Sequence, residues 1–350
     1  MTIKVMVVDD SVFMRKILSD ILEEDKDIEV LWTARNGQDA LEKLVNANPD
    51  VITLDIEMPI MDGITTLREI IKKYNIPVIM LSSLTVEGAD STLKALEIGA
   101  VDFITKPTNV FSLNKSEEKN SLIEKVKMAS VVKGNIKPYV PYLQTIANKK
   151  SFPLNKVNKE TGYLIAIGTS TGGPKALQSI IPEIPANING SILVVQHMPE
   201  GFTKSLAARL DSISNIRVKE AEDGETLKKG YCYIAPGNYH LTVLENNEEI
   251  FLKLDQNPTV SGHRPSVDVM MNSVAEVKSL KKIAVIMTGM GSDGANGMKN
   301  IFNTGGYTIA QDEDSSVVYG MPRAAINNGS VNKILPLNEI SNELIDLLGV

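Results

Sequence analysis

The chain has one cysteine, Cys232, in 350 residues. A single thiol excludes a disulfide framework and a zinc site built on several cysteines. It is expected as a small buried apolar residue. Histidine is almost as scarce, with only His197, His240 and His263, so a His-rich metal centre is not expected. An excess of positive charge is also missing: 36 Lys and Arg stand against 43 Asp and Glu, a formal net charge of −7. So acidic a chain is a poor binder of nucleic acid, and no such partner is expected. No apolar run reaches the roughly 18 residues a membrane helix needs, so no membrane insertion is expected. The opening stretch MTIKVMVVDD meets two carboxylates too early for a signal peptide, which makes the cytoplasm the expected location. With 24 Gly and 16 Pro the composition is neither collagen-like nor low in complexity.

The length fits about two domains at roughly 150 residues each. Both ends of the chain alternate short apolar runs with amphipathic stretches, the pattern of a parallel α/β sheet. In the first part the spacing predicts strands at Lys4–Val8, Glu29–Ala34, Val51–Leu54, Val78–Leu81 and Asp102–Ile104. Helices are predicted between them, such as Phe13–Glu24 and Gly37–Asn46, with a fifth over Ser121–Val132. Five strands and five helices suit one small doubly wound domain, residues 1–132. From 133 to 158 the periodicity fades into Pro138, Pro141, Pro153 and five lysines with no acidic residue, which reads as a solvated linker. A second α/β domain, residues 159–350, is expected to use strands at Tyr163–Ile167, Ser191–Val195, Gly230–Ala235 and Lys282–Met287, with helices such as Pro174–Ser179 and Thr203–Ser212.

Asp9 and Asp10 follow the first predicted strand, and Asp55 follows the third. Strands of a parallel sheet point the same way, so these carboxylates meet at its carboxyl edge. Crowded carboxylates repel and call for a cation; hard oxygen ligands with few protein contacts suit Mg²⁺. Lys106 and Ser82, after the fifth and fourth strands, reach the same edge. The Lys106–Pro107 bond is a candidate cis peptide. With Phe103 and the turn Met58-Pro59-Ile60-Met61-Asp62-Gly63, this set resembles the receiver domain of two-component response regulators, a flavodoxin-like fold. The resemblance implies that Asp55 accepts a phosphoryl group from a histidine kinase. It implies Mg²⁺ held by Asp9, Asp10, Asp55 and the backbone carbonyl of Glu57. It gives Ser82 and Lys106 the phosphoryl oxygens, and makes Phe103 the aromatic that changes rotamer. The chemistry agrees: a carboxylate is a weak nucleophile, so phosphoryl transfer relies on cations to neutralise charge.

After the strand at Tyr163–Ile167 comes Gly168-Thr169-Ser170-Thr171-Gly172-Gly173-Pro174, a G-x-S-x-G pattern like that of a nucleophile elbow. Glycine-rich strand-to-helix turns also cradle phosphates, so this motif alone leaves hydrolase and phosphate-loop readings open. His197 and Asp293 follow two further strands and reach the same edge. Ser170 as nucleophile, His197 as base and Asp293 as the orienting carboxylate form a triad. The order Ser–His–Asp differs from that of α/β-hydrolases. The stretches Ile167–Pro174, Gln196-His197-Met198, Ala235-Pro236-Gly237, Ser261–Asp268 and Thr288–Gly294 resemble the chemotaxis protein-glutamate methylesterase family over residues 160–348. Thr169 is the local departure, where alanine is expected in many relatives.

The resemblance implies a Rossmann-like catalytic domain and an acyl-Ser170 intermediate, with no cofactor for the esterase reaction. The substrate would be glutamate γ-methyl esters on chemoreceptor cytoplasmic domains, with deamidation of glutamine by the same machinery. Thr171 and Met290 would form the rim and oxyanion site. The unphosphorylated receiver would cover the crevice until Asp55 is phosphorylated. His263 with Arg264 is a candidate for the rim, contacting substrate carboxylates, whereas His240 reads as structural and Met271, Met287 and Met298 as core. The alternative is a receiver joined to a nucleotide- or protein-binding module without catalysis, in which the Gly168–Gly173 turn would be the binding loop.

Overall fold

A computed structural model describes residues 2–106, 116–132, 162–246 and 249–350, with 116–118 as backbone only. The chain divides into two compact units, Met1–Gln144 and Thr145–Val350. The expected linker at 133–158 and Pro107 of the expected cis bond lie outside the described residues.

The first unit alternates strands β1 (Ile3–Val8), β2 (Ile28–Ala34), β3 (Val51–Asp55), β4 (Val78–Ser82) and β5 (Asp102–Thr105) with helices α1 (Val12–Glu23), α2 (Gly37–Leu44), α3 (Gly63–Lys73), α4 (Val86–Ile98) and α5 (Ser116–Val131). All strand pairs are parallel, in the order β2-β1-β3-β4-β5, the flavodoxin-like arrangement. β3 and β4 are buried at every residue, in keeping with their mostly apolar sequences. Ser11, Asn36, Asp62 and Thr85 begin α1 to α4, each accepting an N–H from the first turn.

The second unit is built on a seven-stranded parallel sheet. Its members are β6 (Tyr163–Thr169), β7 (Gly190–Gln196), β8 (Arg217–Glu220), β9 (Tyr231–Ile234), β12 (Lys281–Ile286), β13 (Tyr307–Gln311) and β14 (Lys333–Leu335). The order is β14-β13-β12-β6-β7-β9-β8. β10 (His240–Asn246) and β11 (Glu249–Asp255) form a separate antiparallel pair. The helices are α6 (Gly173–Ile180), α7 (Phe202–Ile213), α8 (Val267–Glu276), α9 (Ala295–Asn303), α10 (Met321–Asn327) and α11 (Leu337–Leu348). The core gathers Leu164, Leu193, Tyr233, Met271, Ile286 and Met298 between the sheet, the β10–β11 pair and α8–α9. Met287 and Cys232 are also fully buried.

Both expected α/β domains are thus present, with strand ends within a residue or two of the sequence reading. The second sheet is larger than expected. The short strands β8 and β14 carry too little periodicity to be read, and β13 was not distinguished from its surroundings. Both sheets reverse direction at a switch point, β1/β3 in the first and β6/β12 in the second, the place where open α/β sheets present their sites.

Candidate active site and acidic pocket

In the first unit, Asp9 and Asp10 leave the end of β1 and Asp55 closes β3, on either side of the switch point. Their oxygens lie within 4.8 Å of one another; Asp9 and Asp55 are buried and Asp10 is exposed. Lys106 Nζ stands 2.9 Å from Asp9 Oδ2 and 2.7 Å from Asp55 Oδ2. Burial is the main force on Asp55. It outweighs Lys106 and, with help from Asp9, pushes the carboxyl up to about 6. Burial would lower the Lys106 ammonium, but Asp55 and Asp9 together hold it above its usual value. One ammonium therefore does not neutralise the pocket, and a hard cation ringed by these three carboxylates fits the remaining charge.

Ser82 is fully buried. Its Oγ donates to Gly88 O (3.1 Å) and Ser83 O (3.2 Å) and accepts from Thr92 Oγ1 (2.7 Å), so it is turned towards α4. Phe103 is buried, with Lys125 Nζ 5.3 Å from its ring centroid and 2.7 Å from its carbonyl oxygen. Glu57 is exposed, and its N–H donates to Asp55 Oδ1 at 3.3 Å.

In the second unit, Ser170 follows β6, His197 follows β7, and Asp293 follows β12 at the opening of α9. The β6-to-α6 turn departs from a strained nucleophile elbow. Among the described residues, the non-glycine residues with positive φ do not include Ser170; the left-handed position is Gly172, φ 78°. A side chain at Gly172 would also strike Val317, at 2.7 Å. Ser170 N–H donates to Thr288 O (3.0 Å), and Gly289 has no room for a Cβ because Ser170 Cβ lies 2.8 Å away. The Gln196 amide bridges the two strand ends, its Nε2 donating to Ser170 O (3.0 Å) and His197 O (3.2 Å).

His197 Nε2 lies 2.8 Å from Asp293 Oδ2. Its side chain is 6% exposed, and its Nδ1 has no hydrogen-bond partner among the described residues. The Ser170 hydroxyl is not hydrogen-bonded to His197 among the described residues. Such contacts often tighten only when substrate binds.

Asp293 sits at the start of α8. Its Oδ1 accepts from Ser266 Oγ (2.8 Å) and Asp268 N (3.0 Å), and its Oδ2 accepts from Val267 N (2.7 Å). Burial acts to raise its pKa, but His197 and the N–H groups of Asp268 and Val267 outweigh it and hold the carboxyl below its usual range. Asp268 in turn accepts Gly297 N–H (2.7 Å) at the start of α9. Burial, aided by repulsion from Asp293, raises Asp268. Each of these two packed helices thus begins on a carboxylate from the other's segment. Sequence reasoning gave Ser266 and Asp268 no role. The stretch Ser261–Asp268 was visible, but nothing in it announced contact with a residue some 25 positions later.

At the rim, Thr171 is buried, and its carbonyl accepts from Thr288 Oγ1 (2.8 Å). The Met290 N–H donates to no acceptor among the described residues. Arg264 donates through its terminal nitrogens to Gln256 O (2.9 Å), Asn257 O (2.9 Å) and Asn238 Oδ1 (2.7 Å), while its buried Nε has no partner among the described residues. His240 is buried, as expected of a structural residue; its Nε2 pairs with Pro258 O (3.1 Å) and its Nδ1 accepts from Ser266 N (3.3 Å). Among the described residues, no helix is long and apolar enough to cross a membrane.

Residues 5–116 match the response regulator receiver domain, and residues 165–344 match CheB methylesterase. The chain is 48% identical over 348 residues to the protein-glutamate methylesterase/protein-glutamine glutaminase of Bacillus subtilis, covering 97% of this chain and 96% of that one. It is 46% identical to the protein of the same name from Pyrococcus horikoshii, over 98% of this chain and 93% of the other. The crystal structure of the Thermotoga maritima CheB methylesterase catalytic domain is 48% identical, covers 53% of this chain and 99% of that one, and superposes with a TM-score of 0.52. The fold, the site at the second switch point and this near-full-length similarity place the chain in the CheB methylesterase family, with a response regulator receiver domain joined to the catalytic domain.

Proposed function

We propose that this chain hydrolyses glutamate γ-methyl esters on chemoreceptor cytoplasmic domains through Ser170, His197 and Asp293, and that the receiver controls the reaction through phosphorylation of Asp55 by a histidine kinase. The carrying observation is the His197 Nε2–Asp293 Oδ2 contact at 2.8 Å, at a carboxylate already fixed by three further donors. A binding module without catalysis has no use for so tightly held a pair.

The contact supports a division of roles between the ring nitrogens. In this reading Nε2 carries the proton shared with Asp293, and Nδ1, without a partner among the described residues, is the base. Ser170 Oγ attacks the ester carbonyl carbon and its proton passes to His197 Nδ1. Charge builds on the carbonyl oxygen, which the Met290 N–H and the turn at Thr171 would stabilise. The C–O bond then breaks, and methanol leaves with the proton from Nδ1. Water, deprotonated by His197 Nδ1 in its turn, attacks the acyl carbon; the bond to Ser170 Oγ breaks, Oγ takes the proton back from Nδ1, and glutamate is restored. The same sequence on a glutamine side chain releases ammonia, in keeping with the two activities in the names of the curated relatives. No cofactor enters this scheme.

In the receiver, Asp9, Asp10, Asp55 and the backbone carbonyl of Glu57 would hold Mg²⁺, which supplies charge neutralisation for phosphoryl transfer. Lys106 would meet a phosphoryl oxygen. Ser82 would do so only after leaving its bonds to Gly88 O and Thr92, and that change would accompany repacking of Phe103. The proposed bounds are 1–132 for the receiver, 133–158 for the linker and 159–350 for the catalytic domain, acting in the cytoplasm.

The test is methanol release from methylated receptor membranes, with and without a small phosphodonor, beside Ser170→Ala. Release that rises with phosphodonor and vanishes in the variant is expected. Release retained by Ser170→Ala would refute the nucleophile, and release indifferent to phosphodonor would refute the control.

A further inference from the structure

His197 is held at one edge only. Nε2 meets Asp293 at 2.8 Å, and Nδ1 has no partner among the described residues. A ring fixed by one hydrogen bond can still swing about that bond, displacing Nδ1. What blocks the swing is a second imidazole. The ring of His263 lies face to face with that of His197, their centroids 3.7 Å apart and their planes 13° from parallel.

The His263 backbone is itself locked. Its N–H donates to Val260 O (2.9 Å), and the Val260 N–H donates back to His263 O (3.1 Å). The two residues between, Ser261 at φ 53° and Gly262 at φ 78°, supply the left-handed pair that a two-residue hairpin turn requires. A serine in that conformation is tolerated only where the surroundings determine it. The next residue, Arg264, is anchored by Gln256, Asn257 and Asn238. Two residues further on, Ser266, Val267 and Asp268 grip Asp293. One continuous stretch, Val260–Asp268, therefore braces the face of the base and also the carboxylate that orients it.

We infer that His263 is a positioning residue for the esterase reaction: its ring is the plate that keeps His197 in the plane where Nε2 faces Asp293 and Nδ1 faces the nucleophile. It need not touch substrate and it exchanges no proton. The flat ring acts, not the nitrogen chemistry. This inference rests on the esterase reading for its kinetic consequence, though not for its geometric one.

The experiment uses the full chain in three forms: parent, His263→Ala and His263→Phe. Steady-state hydrolysis of a peptide carrying a glutamate γ-methyl ester is measured for each. Misplacing a catalytic group by about 1 Å can cost on the order of 100-fold. His263→Ala should therefore lower kcat roughly 10- to 100-fold with KM little changed, because the base and not the binding surface is disturbed. His263→Phe restores a flat ring and should recover most of that loss.

NMR of the ring protons gives a readout independent of turnover, and it is simple because the chain has only three histidines. The His197 signals should move in His263→Ala, as the neighbouring ring current disappears, while those of His240 stay. Full activity in His263→Ala, or a His263→Phe protein as impaired as His263→Ala although folded, would overturn the inference. If the parent hydrolyses no ester, the esterase reading fails alone. The NMR comparison then decides the plate: shifted His197 signals uphold it, and unshifted signals overturn it.

Discussion

Asp55 and Asp293 are each 2% exposed, each at the carboxyl edge of a parallel sheet beside its switch point, and their acidities move in opposite directions. Burial raises both. The donors around them decide the outcome. Asp293 receives three hydrogen bonds from the opening turn of α8 as well as the His197 contact, and is held ionised. Asp55 receives one long N–H bond from Glu57 and shares Lys106 with Asp9, a competing carboxylate. In the roles proposed above, a carboxylate that orients a base has to stay charged through every turnover, which a satisfied shell favours, and one that accepts a phosphoryl group depends on an arriving cation, which an unsatisfied shell favours.

The sharpest way to break the contrast is Asp293→Asn. An amide of the same shape cannot accept at both positions, so one of its faces opposes a donor. It also no longer selects the tautomer that keeps Nδ1 of His197 free. Such a change costs on the order of 10⁴-fold in kcat in a Ser-His-Asp site, and methanol release should fall by that order. Asp55→Asn should leave release without phosphodonor within about two-fold of the parent, since its carboxylate takes no part in ester chemistry. A ten-fold or smaller loss in Asp293→Asn would mean that the N-terminus of α8 orients His197 without the charge.

A smaller effect appears in stability against pH. An unfolded aspartate titrates near 3.9, and folded Asp55 at about 6. Between those values the native state binds the extra proton, so stability falls as pH rises through the window and stays low above it. Two pH units correspond to about 3 kcal/mol. With Mg²⁺ chelated, the difference between the parent and Asp55→Asn in urea unfolding should grow against the parent by that amount from pH 4 to pH 7, and added Mg²⁺ should shrink it. The corresponding difference for Asp293→Asn should run the other way. Its folded pKa is depressed, so the parent's advantage is present above the unfolded value and is lost as pH falls through the folded one. Two difference curves of the same slope would remove the contrast.

Much of this was legible in the residues. Apolar runs such as Val51–Leu54 and Tyr163–Ile167 could be read as buried parallel strands, and strand-end placement brought Asp9, Asp10, Asp55 and Lys106 together, and His197 to Asp293. What stayed hidden depended on side-chain direction. Ser82 lies at the expected strand end, and its buried hydroxyl is bonded to Gly88 O and Thr92 of α4. Arg264 stands in the expected loop, but its terminal nitrogens bond to Gln256 O, Asn257 O and the Asn238 side chain. His263, a candidate for the rim, stacks on His197, a contact that its place in the chain does not reveal. Chain position predicts which edge a residue occupies; it does not predict which neighbour claims its polar atoms.

Thr169 offers the smallest and most local test. Its hydroxyl, fully buried, donates to Gln196 Oε1 at 2.6 Å, and Gln196 in turn ties Ser170 O to His197 O. The strand ends of the catalytic unit are thus bracketed by neutral hydrogen bonds, whereas Asp9 and Asp55 of the receiver are joined by the charge of Lys106. Replacing Thr169 with alanine removes one bond from the bracket but leaves it closed. Gln196 keeps both donor bonds and stays wedged against Gly173, where a Cβ would come within 1.9 Å of Oε1. The expected cost is about 1 kcal/mol in unfolding free energy and less than about three-fold in kcat, with no dependence on pH between 6 and 8, because no charge is involved. A ten-fold loss of kcat in a Thr169→Ala protein of near-parent stability would show that the threonine aligns Gln196 rather than merely satisfying it. The catalytic unit would then depend on a hydroxyl as the receiver pocket depends on an ammonium.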